Sequence, residues 1–160
     1  MFGPEGVAGL RVLDLYAGVG SFGLEAMRRG AARVEMVERN PKLCDGLRKA
    51  IENAGASNMA QVYCGDVQKM LARMTGSFDV VFADPPYDIN PFDAVTAVIL
   101  ERKLLAENGT VFLEHFKKTS LPEALPGLEM TTRREYGDAA VSVYRSVQKR
   151  GQAREPGKSW

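Results

Sequence analysis

The hydrophobic positions of this chain fall into short apolar runs that alternate with stretches of helical spacing. Runs rich in branched aliphatic and aromatic residues predict strands, and apolar residues three or four positions apart predict helices between them. The predicted strands span residues 11–16, 33–38, 61–66, 78–83, 110–114, 131–136 and 140–147. The first predicted helix follows residues 17–23. The other three span residues 40–55, 67–74 and 92–106.

Helix boundaries are indicated by local chemistry. Asn40 precedes Pro41, an arrangement in which the asparagine caps the helix and the proline occupies its first turn. Gly30 and Gly55 stand where the first two helices are expected to end, because glycine readily adopts the left-handed conformation that closes a helix.

Alternating strands and helices followed by two adjacent strands predict one α/β domain over residues 1–147. We expect a Rossmann-like, seven-stranded, mostly parallel sheet with helices on both faces. Gly137 and Asp138 separate the last two strands and predict an antiparallel C-terminal hairpin. Residues 148–160 are polar and basic, and we expect them to be a flexible tail.

Composition narrows the class of protein. Hydrophobic residues make up 45% of the chain and charged residues 26%, as in ordinary globular domains, and no apolar run is long enough to span a membrane. The net charge of +1 divides into +3 on residues 148–160 and −2 elsewhere, so any basic face must be local. Cys44 and Cys64 match no metal spacing, and we expect reduced thiols, no metal and a cytoplasmic protein.

The strand over residues 78–83 is apolar almost throughout and stops at Asp84-Pro85-Pro86-Tyr87. Such a run is typical of a strand buried on both faces, and the prolines cannot extend it because they lack a backbone donor. Asp84 is therefore predicted to lie at the carboxyl edge of the sheet, where open α/β sheets bind ligands. Asp84 and the Pro85 carbonyl are suited to hold a planar amine.

A glycine motif follows the first strand. Gly18, Gly20 and Gly23 match G-x-G-x-x-G, and Glu38 ends the second strand 20 residues after Gly18. We expect Gly18 to permit a tight turn, Gly20 to let a ligand approach the backbone, and Gly23 to let the helix pack closely. A carboxylate at position 38 can bind both hydroxyls of a ribose, so the pattern predicts an adenosine-bearing cofactor.

Two further carboxylates favour S-adenosylmethionine over a nicotinamide cofactor. Asp14 lies inside the first strand, where it could face a cationic amino acid group or orient the loop, whereas a pyrophosphate would gain nothing from it. Asp66 follows the third strand and could bind an adenine amino group, cap the helix at Val67, or do both.

These motifs resemble those of class I S-adenosylmethionine-dependent amino-methyltransferases and, more narrowly, the bacterial 16S ribosomal RNA guanine-N2 methyltransferase family. The resemblance covers roughly residues 10–147. It is carried by residues 14–20, the Gly-Leu-Glu-Ala segment at 23–26, the Val-Glu-Arg-Asn segment at 37–40, Asp66, residues 84–87 and the Arg-Glu-Tyr-Gly segment at 134–137.

The resemblance implies a reaction. Asp84 and the Pro85 carbonyl would accept the two N–H bonds of a base amine, so that its lone pair faces the methyl group, and Asp84 could take the released proton. Tyr87 would stack on the splayed base, and Pro86 would hold the turn rigid. The predicted cofactor contacts are Asp14, Ala17, Gly18, Gly20, Gly23, Glu38, Arg39, Asp66, Val67 and Asp84.

The substrate side is less sharply defined. His115 and Lys117 follow the fifth strand and could contact RNA, although a lone histidine is more often a hydrogen-bonded loop residue. We expect ribosomal RNA or a small-subunit assembly particle as partner, no membrane, and a monomer. The alternatives are methylation of another planar amine in DNA or on a protein glutamine, a nicotinamide-dependent oxidoreductase, and a non-catalytic RNA-binding remnant.

Overall fold

The structure is a computed structural model and describes residues 6–147. Its helices are α1 (Ser21–Arg28), α2 (Pro41–Asn53), α3 (Val67–Leu71) and α4 (Phe92–Glu101). Its strands are β1 (Arg11–Leu15), β2 (Arg33–Glu38), β3 (Ala60–Cys64), β4 (Phe78–Ala83), β5 (Leu105–Phe116), β6 (Ala124–Leu125), β7 (Leu128–Tyr136) and β8 (Ala139–Ser146). They form a single sheet in the order β3-β2-β1-β4-β5-β8-β7-β6.

The first five strands form the parallel half of the sheet. β1 pairs in parallel with both β2 and β4, β2 pairs with β3, and β4 pairs with β5. The chain moves outward from β1 to β3 and then returns to the other side of β1 to add β4. The carboxyl ends of β1 and β4 therefore meet where the strand order reverses, which is the usual ligand site of open α/β sheets.

The remaining strands form the antiparallel half. β8 pairs antiparallel with both β5 and β7, and the β7–β8 hairpin turns at Gly137, whose φ is +57°. The predicted fold class and C-terminal hairpin are confirmed. The sheet has eight strands rather than the predicted seven because β6 has only two residues, too few to leave a periodic signal.

Apolar side chains cover the sheet on both faces. Leu13, Val81 and Leu113 face α3 and α4 in one buried cluster. Val12 and Met36 face α1 and α2 in the other. The alternation along β1 thus supplies both layers, as a strand with two buried faces must.

The capping signals are confirmed. The Asn40 side chain accepts hydrogen bonds from the backbone N–H groups of Lys42 and Leu43, at 2.9 and 3.3 Å, and Pro41 occupies the first turn of α2. Gly30 and Gly55 have φ values of +89° and +67° just beyond α1 and α2. These two glycines close their helices in the left-handed conformation.

The predicted end of α4 is wrong. The helix stops at Glu101 rather than residue 106, Lys103 has a φ of +55°, and β5 begins at Leu105. Helical spacing of apolar residues continued through this segment, but Leu105 pairs with Phe78 as part of the sheet. The prediction failed because sheet pairing with a distant strand overrode a local periodicity.

The predicted tail at residues 148–160 lies outside the described residues. Within residues 6–147, none of the helices has the length and apolar character that a membrane crossing requires.

Candidate functional site

A cavity of about 1020 Å³ opens at the carboxyl edge of the sheet, beside the ends of β1, β2 and β4. It brings together most of the predicted cofactor and catalytic positions. Of these, it is lined by Asp14, Ala17, Gly18, Glu38, Arg39, Asp66, Val67, Asp84, Pro85, Pro86 and Tyr87. Gly20 and Gly23 are not among the residues that line it.

The glycine turn has a packing role as well as the predicted ones. Gly18 and Gly20 have φ values of +60° and +85°, which glycine adopts without strain. A Cβ at Gly20 would lie 2.4 Å from Leu47 Cδ2, so Gly20 also allows close packing against α2, and ligand approach at Gly20 remains a prediction. A Cβ at Gly18 would meet no atom within 4 Å, so Gly18 borders open space.

Gly23 and Asp14 join α1 to the sheet. A Cβ at Gly23 would lie 2.6 Å from Met36 Sδ, which agrees with the close packing expected there. The Gly23 N–H donates to Asp14 Oδ2 at 3.0 Å, so Asp14 orients the start of α1. Burial raises the pKa of Asp14 to about 7, with smaller contributions from the charges of Asp84 and Glu38 and an opposing one from the Gly23 N–H.

Glu38 fixes the glycine turn from the neighbouring strand. One carboxylate oxygen accepts the Gly18 N–H at 3.0 Å, and the other accepts the Asn40 N–H at 2.7 Å. Each oxygen of an ionised carboxylate can accept a second hydrogen bond, so Glu38 retains capacity for hydroxyl donors. Arg39 follows it and is exposed at the cavity.

Asp66 caps α3, one of the two roles considered for it. Its carboxylate accepts the backbone N–H of Lys69 at 3.0 Å. Asp66 and the buried Val67 both line the cavity, so contact with an adenine remains a prediction.

The Asp84–Tyr87 segment leaves the sheet where β4 ends. The Asp84 N–H donates to the Leu15 carbonyl at 3.4 Å, Pro85 is buried, and the Asp84 side chain is exposed at the cavity. Tyr87 is 55% exposed, and its ring centroid lies 6.0 Å from that of Phe116. An acidic group and an accessible aromatic ring therefore stand together at the mouth of the site.

Glu114 is a site residue that the sequence reasoning missed. It lines the cavity near the end of β5, beside the end of β4 where Asp84 lies. Burial, followed by the neighbouring Asp84 carboxyl, raises the pKa of Glu114 to about 7. The signal that singled out Asp84, a carboxylate closing an apolar strand, is also present in Val111-Phe112-Leu113-Glu114.

His115 does not line the cavity but borders a small pocket behind Pro85, Pro86 and Tyr87, and its contact with substrate remains a prediction. It is 3% exposed and packs against Phe92 on the α4 face. Its two ring nitrogens bond to the Phe116 carbonyl at 2.9 Å and to the Ser142 hydroxyl at 2.8 Å. The strand alternation turns His115 inward, as a hydrogen-bonded structural residue.

Lys117 is not among the residues lining the cavity. Its ammonium group lies 3.7 Å from a carboxylate oxygen of Asp138, and its backbone N–H donates to the Asp138 carbonyl at 2.8 Å. A role in RNA binding remains a prediction for this residue.

Three aromatic residues shape the cavity wall. Phe22 of α1 stacks on Phe82 of β4, with ring centroids 4.1 Å apart and an interplanar angle of 6°. Tyr16, which also lines the cavity, has a φ of +60°. A non-glycine residue in this conformation is uncommon, and such residues cluster at ligand sites.

Neither cysteine is in a disulfide: Cys44 is buried and Cys64 is exposed. Within residues 6–147, no group of three or more histidine, cysteine or acidic side chains is arranged to hold a metal ion.

Comparison with known proteins places this arrangement in context. The family model described as "Conserved hypothetical protein 95" matches residues 1–145. The chain is 34% identical over 148 residues to the Bacillus subtilis (strain 168) protein named "Putative rRNA methyltransferase YlbH", covering 91% of this chain and 80% of that protein. It is 26% identical over 132 residues to "Ribosomal RNA small subunit methyltransferase D" of Escherichia coli (strain K12), covering 82% of this chain and 66% of that protein.

The fold is also similar to a solved structure. The Streptococcus pyogenes protein described as a conserved hypothetical protein superposes with a TM-score of 0.82 and 32% sequence identity, covering 88% of each chain.

Proposed function

This chain belongs to the family described as conserved hypothetical protein 95, and we propose that it is an S-adenosylmethionine-dependent methyltransferase of guanine N2 in 16S ribosomal RNA. The predicted resemblance to ribosomal RNA methyltransferases is confirmed by the names of its homologues. The observation that carries the proposal is that Asp84-Pro85-Pro86-Tyr87 and the glycine turn line one cavity.

The residues of the cavity fit S-adenosylmethionine. Gly18 leaves open space beside the turn, and the Glu38 carboxylate can accept hydrogen bonds from ribose hydroxyls in addition to the one from the Gly18 N–H. Asp14 is a buried carboxyl whose ionised form is disfavoured by burial and would be stabilised by a cationic amino acid group. Asp66 and Val67 offer a polar group and an apolar surface to an adenine. When bound, the cofactor supplies an electrophilic methyl group on a positively charged sulfur.

The protein's part in the reaction is placement. Asp84 accepts one N–H of the base amine and the Pro85 carbonyl accepts the other, which aims the nitrogen lone pair towards the cofactor side of the cavity. Tyr87, exposed at the mouth, stacks on the base and holds its plane. Asp84 then takes the proton that the methylated nitrogen releases.

Ribosomal RNA as the partner is supported by the homologues and by the surface near Tyr87. Phe116 lies beside Tyr87, and the ammonium group of Lys118 lies 6.0 Å from the Phe116 ring centroid. An aromatic pair next to a cation suits an unstacked nucleotide with its phosphate. A ribosomal RNA substrate would place the reaction in the cytoplasm, and a monomer remains our expectation.

The decisive experiment incubates the purified protein with S-adenosylmethionine and two substrates, naked 16S RNA and 30S particles, both prepared from bacteria that lack their own methyltransferase D. Mass spectrometry of the digested nucleosides is expected to show N2-methylguanosine, and digestion to oligonucleotides would map its position. Large-subunit RNA is the control substrate and Asp84→Ala the control enzyme. A methylated adenosine or cytidine would overturn the base assignment.

The same preparation tests the rival functions. Thermal unfolding with S-adenosylmethionine, S-adenosylhomocysteine, NAD and NADP is expected to show stabilisation by the first two alone, because a ligand stabilises the fold that binds it. Stabilisation by a nicotinamide cofactor instead would favour an oxidoreductase. RNA binding without cofactor binding or methyl transfer would favour a non-catalytic remnant.

A further inference from the structure

Asp84 and Glu114 form a pair of carboxyl groups on one face of the sheet. In the parallel register of β4 and β5, Phe82 lies opposite Phe112 and Ala83 lies opposite Leu113. The next positions along the chain are Asp84 and Glu114, and both side chains line the cavity.

Two neighbouring carboxyl groups repel each other when both are ionised, so such a pair keeps a proton to higher pH than an isolated carboxyl group. Burial raises the pKa of both groups, and that of Glu114 reaches about 7. The proton that the pair loses near this pH belongs to the pair rather than to either residue. This proton is available for exchange against another hydrogen-bond donor.

The charged groups around the pair are of both signs. Asp84 and Glu38 act on Asp14, and Asp138 acts on Tyr87 together with the pair itself. Arg29 and Arg39 line the same cavity, and the Arg29 guanidinium lies 3.0 Å from the Glu25 carboxylate. On β8 the residue opposite Glu114 is the apolar Val141. A substrate with two adjacent N–H groups would supply a donor to each carboxylate.

Guanine presents two neighbouring donors on its Watson–Crick edge, the ring N1–H and the exocyclic amine at C2. Adenine and cytosine place a ring nitrogen acceptor beside their amines instead. Two adjacent carboxylates can accept both donors of the guanine edge. With adenine or cytosine, one carboxylate would instead face the ring nitrogen, which is itself an acceptor. Once a base covers the two carboxylates, an acceptor left facing them without a donor disfavours the wrong ligand.

We propose that Glu114 is the residue that selects guanine, its carboxylate accepting the ring N1–H while Asp84 and the Pro85 carbonyl accept the protons of the amine. This assignment rests on the proposed function and adds a base-reading residue to it. Glu114 contacts the substrate directly in this arrangement, so its effect depends on the atom at ring position 1.

A pH dependence follows from the assignment. Guanine binds after the shared proton has left the pair, so kcat/KM for a guanine substrate rises with pH through about 7 and then levels off. Below that pH the pair presents a proton to the ring nitrogen, which opposes the N1–H of guanine and suits an unprotonated acceptor.

The test uses a short RNA hairpin around the mapped guanine, with either guanine or 2-aminopurine at the target. 2-Aminopurine retains the amine at C2 but has an acceptor at ring position 1. The wild-type protein is expected to prefer guanine about tenfold to a hundredfold in kcat/KM at pH 8, and by a smaller factor at pH 6. Glu114→Gln is expected to reduce the preference at pH 8 at least tenfold, because the amide can donate to the acceptor of 2-aminopurine, and to remove its pH dependence.

Glu129→Gln is the matched control, because Glu129 is an exposed glutamate of β7 that does not line the cavity. It is expected to leave the preference unchanged. A Glu114→Gln protein that slowed both RNAs by the same factor would make Glu114 a positioning residue for Asp84 and overturn the proposal.

The outcome separates this proposal from the function on which it rests. If the wild-type protein methylates guanine but its preference over 2-aminopurine does not change between pH 6 and 8, the Glu114 assignment fails and the methyltransferase stands. If the wild-type protein transfers no methyl group to any RNA while still binding S-adenosylmethionine, the proposed function fails first. The wild-type pH series needs no variant, so the test holds even if Glu114→Gln does not fold.

Discussion

The carboxylate of Glu38 accepts a 3.0 Å hydrogen bond from the backbone N–H of Gly18, so the end of β2 holds the turn that follows β1. A ribose at this site would contact a carboxylate that is already fixed in position. Little side-chain entropy is then lost when the cofactor binds.

Replacing Glu38 by glutamine is expected to weaken S-adenosylmethionine binding about 10- to 100-fold, because the amide offers one acceptor where the carboxylate offers two charged ones. Isothermal titration calorimetry measures the change. Glu52→Gln, on the exposed side of α2, is the matched control and is expected to bind normally. Unchanged affinity in Glu38→Gln would exclude Glu38 from the cofactor site.

Replacing Asp84 by alanine is expected to lower kcat by at least about 100-fold. The base amine then lacks a hydrogen-bond acceptor, and the proton released from the methylated nitrogen lacks a base to accept it. S-adenosylmethionine affinity should change by less than about threefold, because the hydrogen bonds that Glu38 and Asp14 accept from Gly18 and Gly23 shape the cofactor side. Single-turnover methylation and calorimetry on the same preparation measure the two quantities. Loss of cofactor binding together with activity would make Asp84 a structural residue.

Tyr87 provides a paired test of stacking. Tyr87→Phe keeps the ring and is expected to change kcat/KM by less than about threefold, whereas Tyr87→Ala removes a stacking contact of about 1–3 kcal/mol. The alanine variant should therefore lose about 5- to 150-fold in kcat/KM. Equal losses in the two variants would assign the effect to the phenol hydroxyl.

Gly23 and Gly46 provide a paired test of packing. Gly23→Ala is expected to lower the free energy of unfolding by about 1–3 kcal/mol, because its Cβ would lie 2.6 Å from Met36 Sδ and 3.0 Å from Asp14 Oδ2. Gly46 lies within α2, where a Cβ meets no atom within 4 Å. Gly46→Ala is expected to raise the free energy of unfolding by about 0.5–1 kcal/mol. Urea unfolding measures both, and a stable Gly23→Ala protein would contradict the close contact of α1 with the sheet.

Asp14 predicts a pH-dependent stability. Its pKa in the folded protein is about 7, above the value near 3.9 of an unfolded chain, so between these values the folded state holds a proton that the unfolded state has lost. This group's contribution to the free energy of unfolding therefore falls as pH rises from about 4 to 7 and is constant above that.

Asp14→Asn tests that sign. The asparagine side-chain carbonyl can still accept the Gly23 N–H but cannot ionise, so the variant is expected to be more stable than wild type at pH 8 by roughly 1–3 kcal/mol. Below about pH 4 the two proteins should unfold alike, and the difference should grow between about pH 4 and 7. A constant difference across this range would show that Asp14 does not carry the predicted proton.

The sequence was most informative where local signals and tertiary structure agree. β2 has the predicted bounds because apolar residues at positions 34, 36 and 37 follow the break at Gly30 and precede the helix-capping signal at Asn40-Pro41. The helix cap at Asn40 was also predictable, because its side chain hydrogen bonds only to backbone N–H groups in the first turn of the same helix. The end of α4 and the inward direction of His115 depended instead on pairing with β4 and β8, which no local pattern contains.

The candidate site shows a similar division. Asp14, Glu38, Asp66 and Asp84 were predictable because each stands within or at the end of an apolar strand. Glu114 ends such a strand too, but its significance depends on the β4–β5 register that sets it beside Asp84. The packing role of Gly20 could not be predicted, because its contact with Leu47 comes from a different helix.

β5 joins the parallel half of the sheet to its antiparallel half. Its parallel neighbour β4 belongs to the half that holds the proposed cofactor contacts, whereas its antiparallel neighbour β8 begins at the Gly137 turn on the same edge of the sheet. Changes of length or sequence in that hairpin would alter the border of the mouth without disturbing the glycine turn. Descendants of this fold could thus acquire new nucleotide targets by remodelling one hairpin while inheriting the methyl-donor half intact.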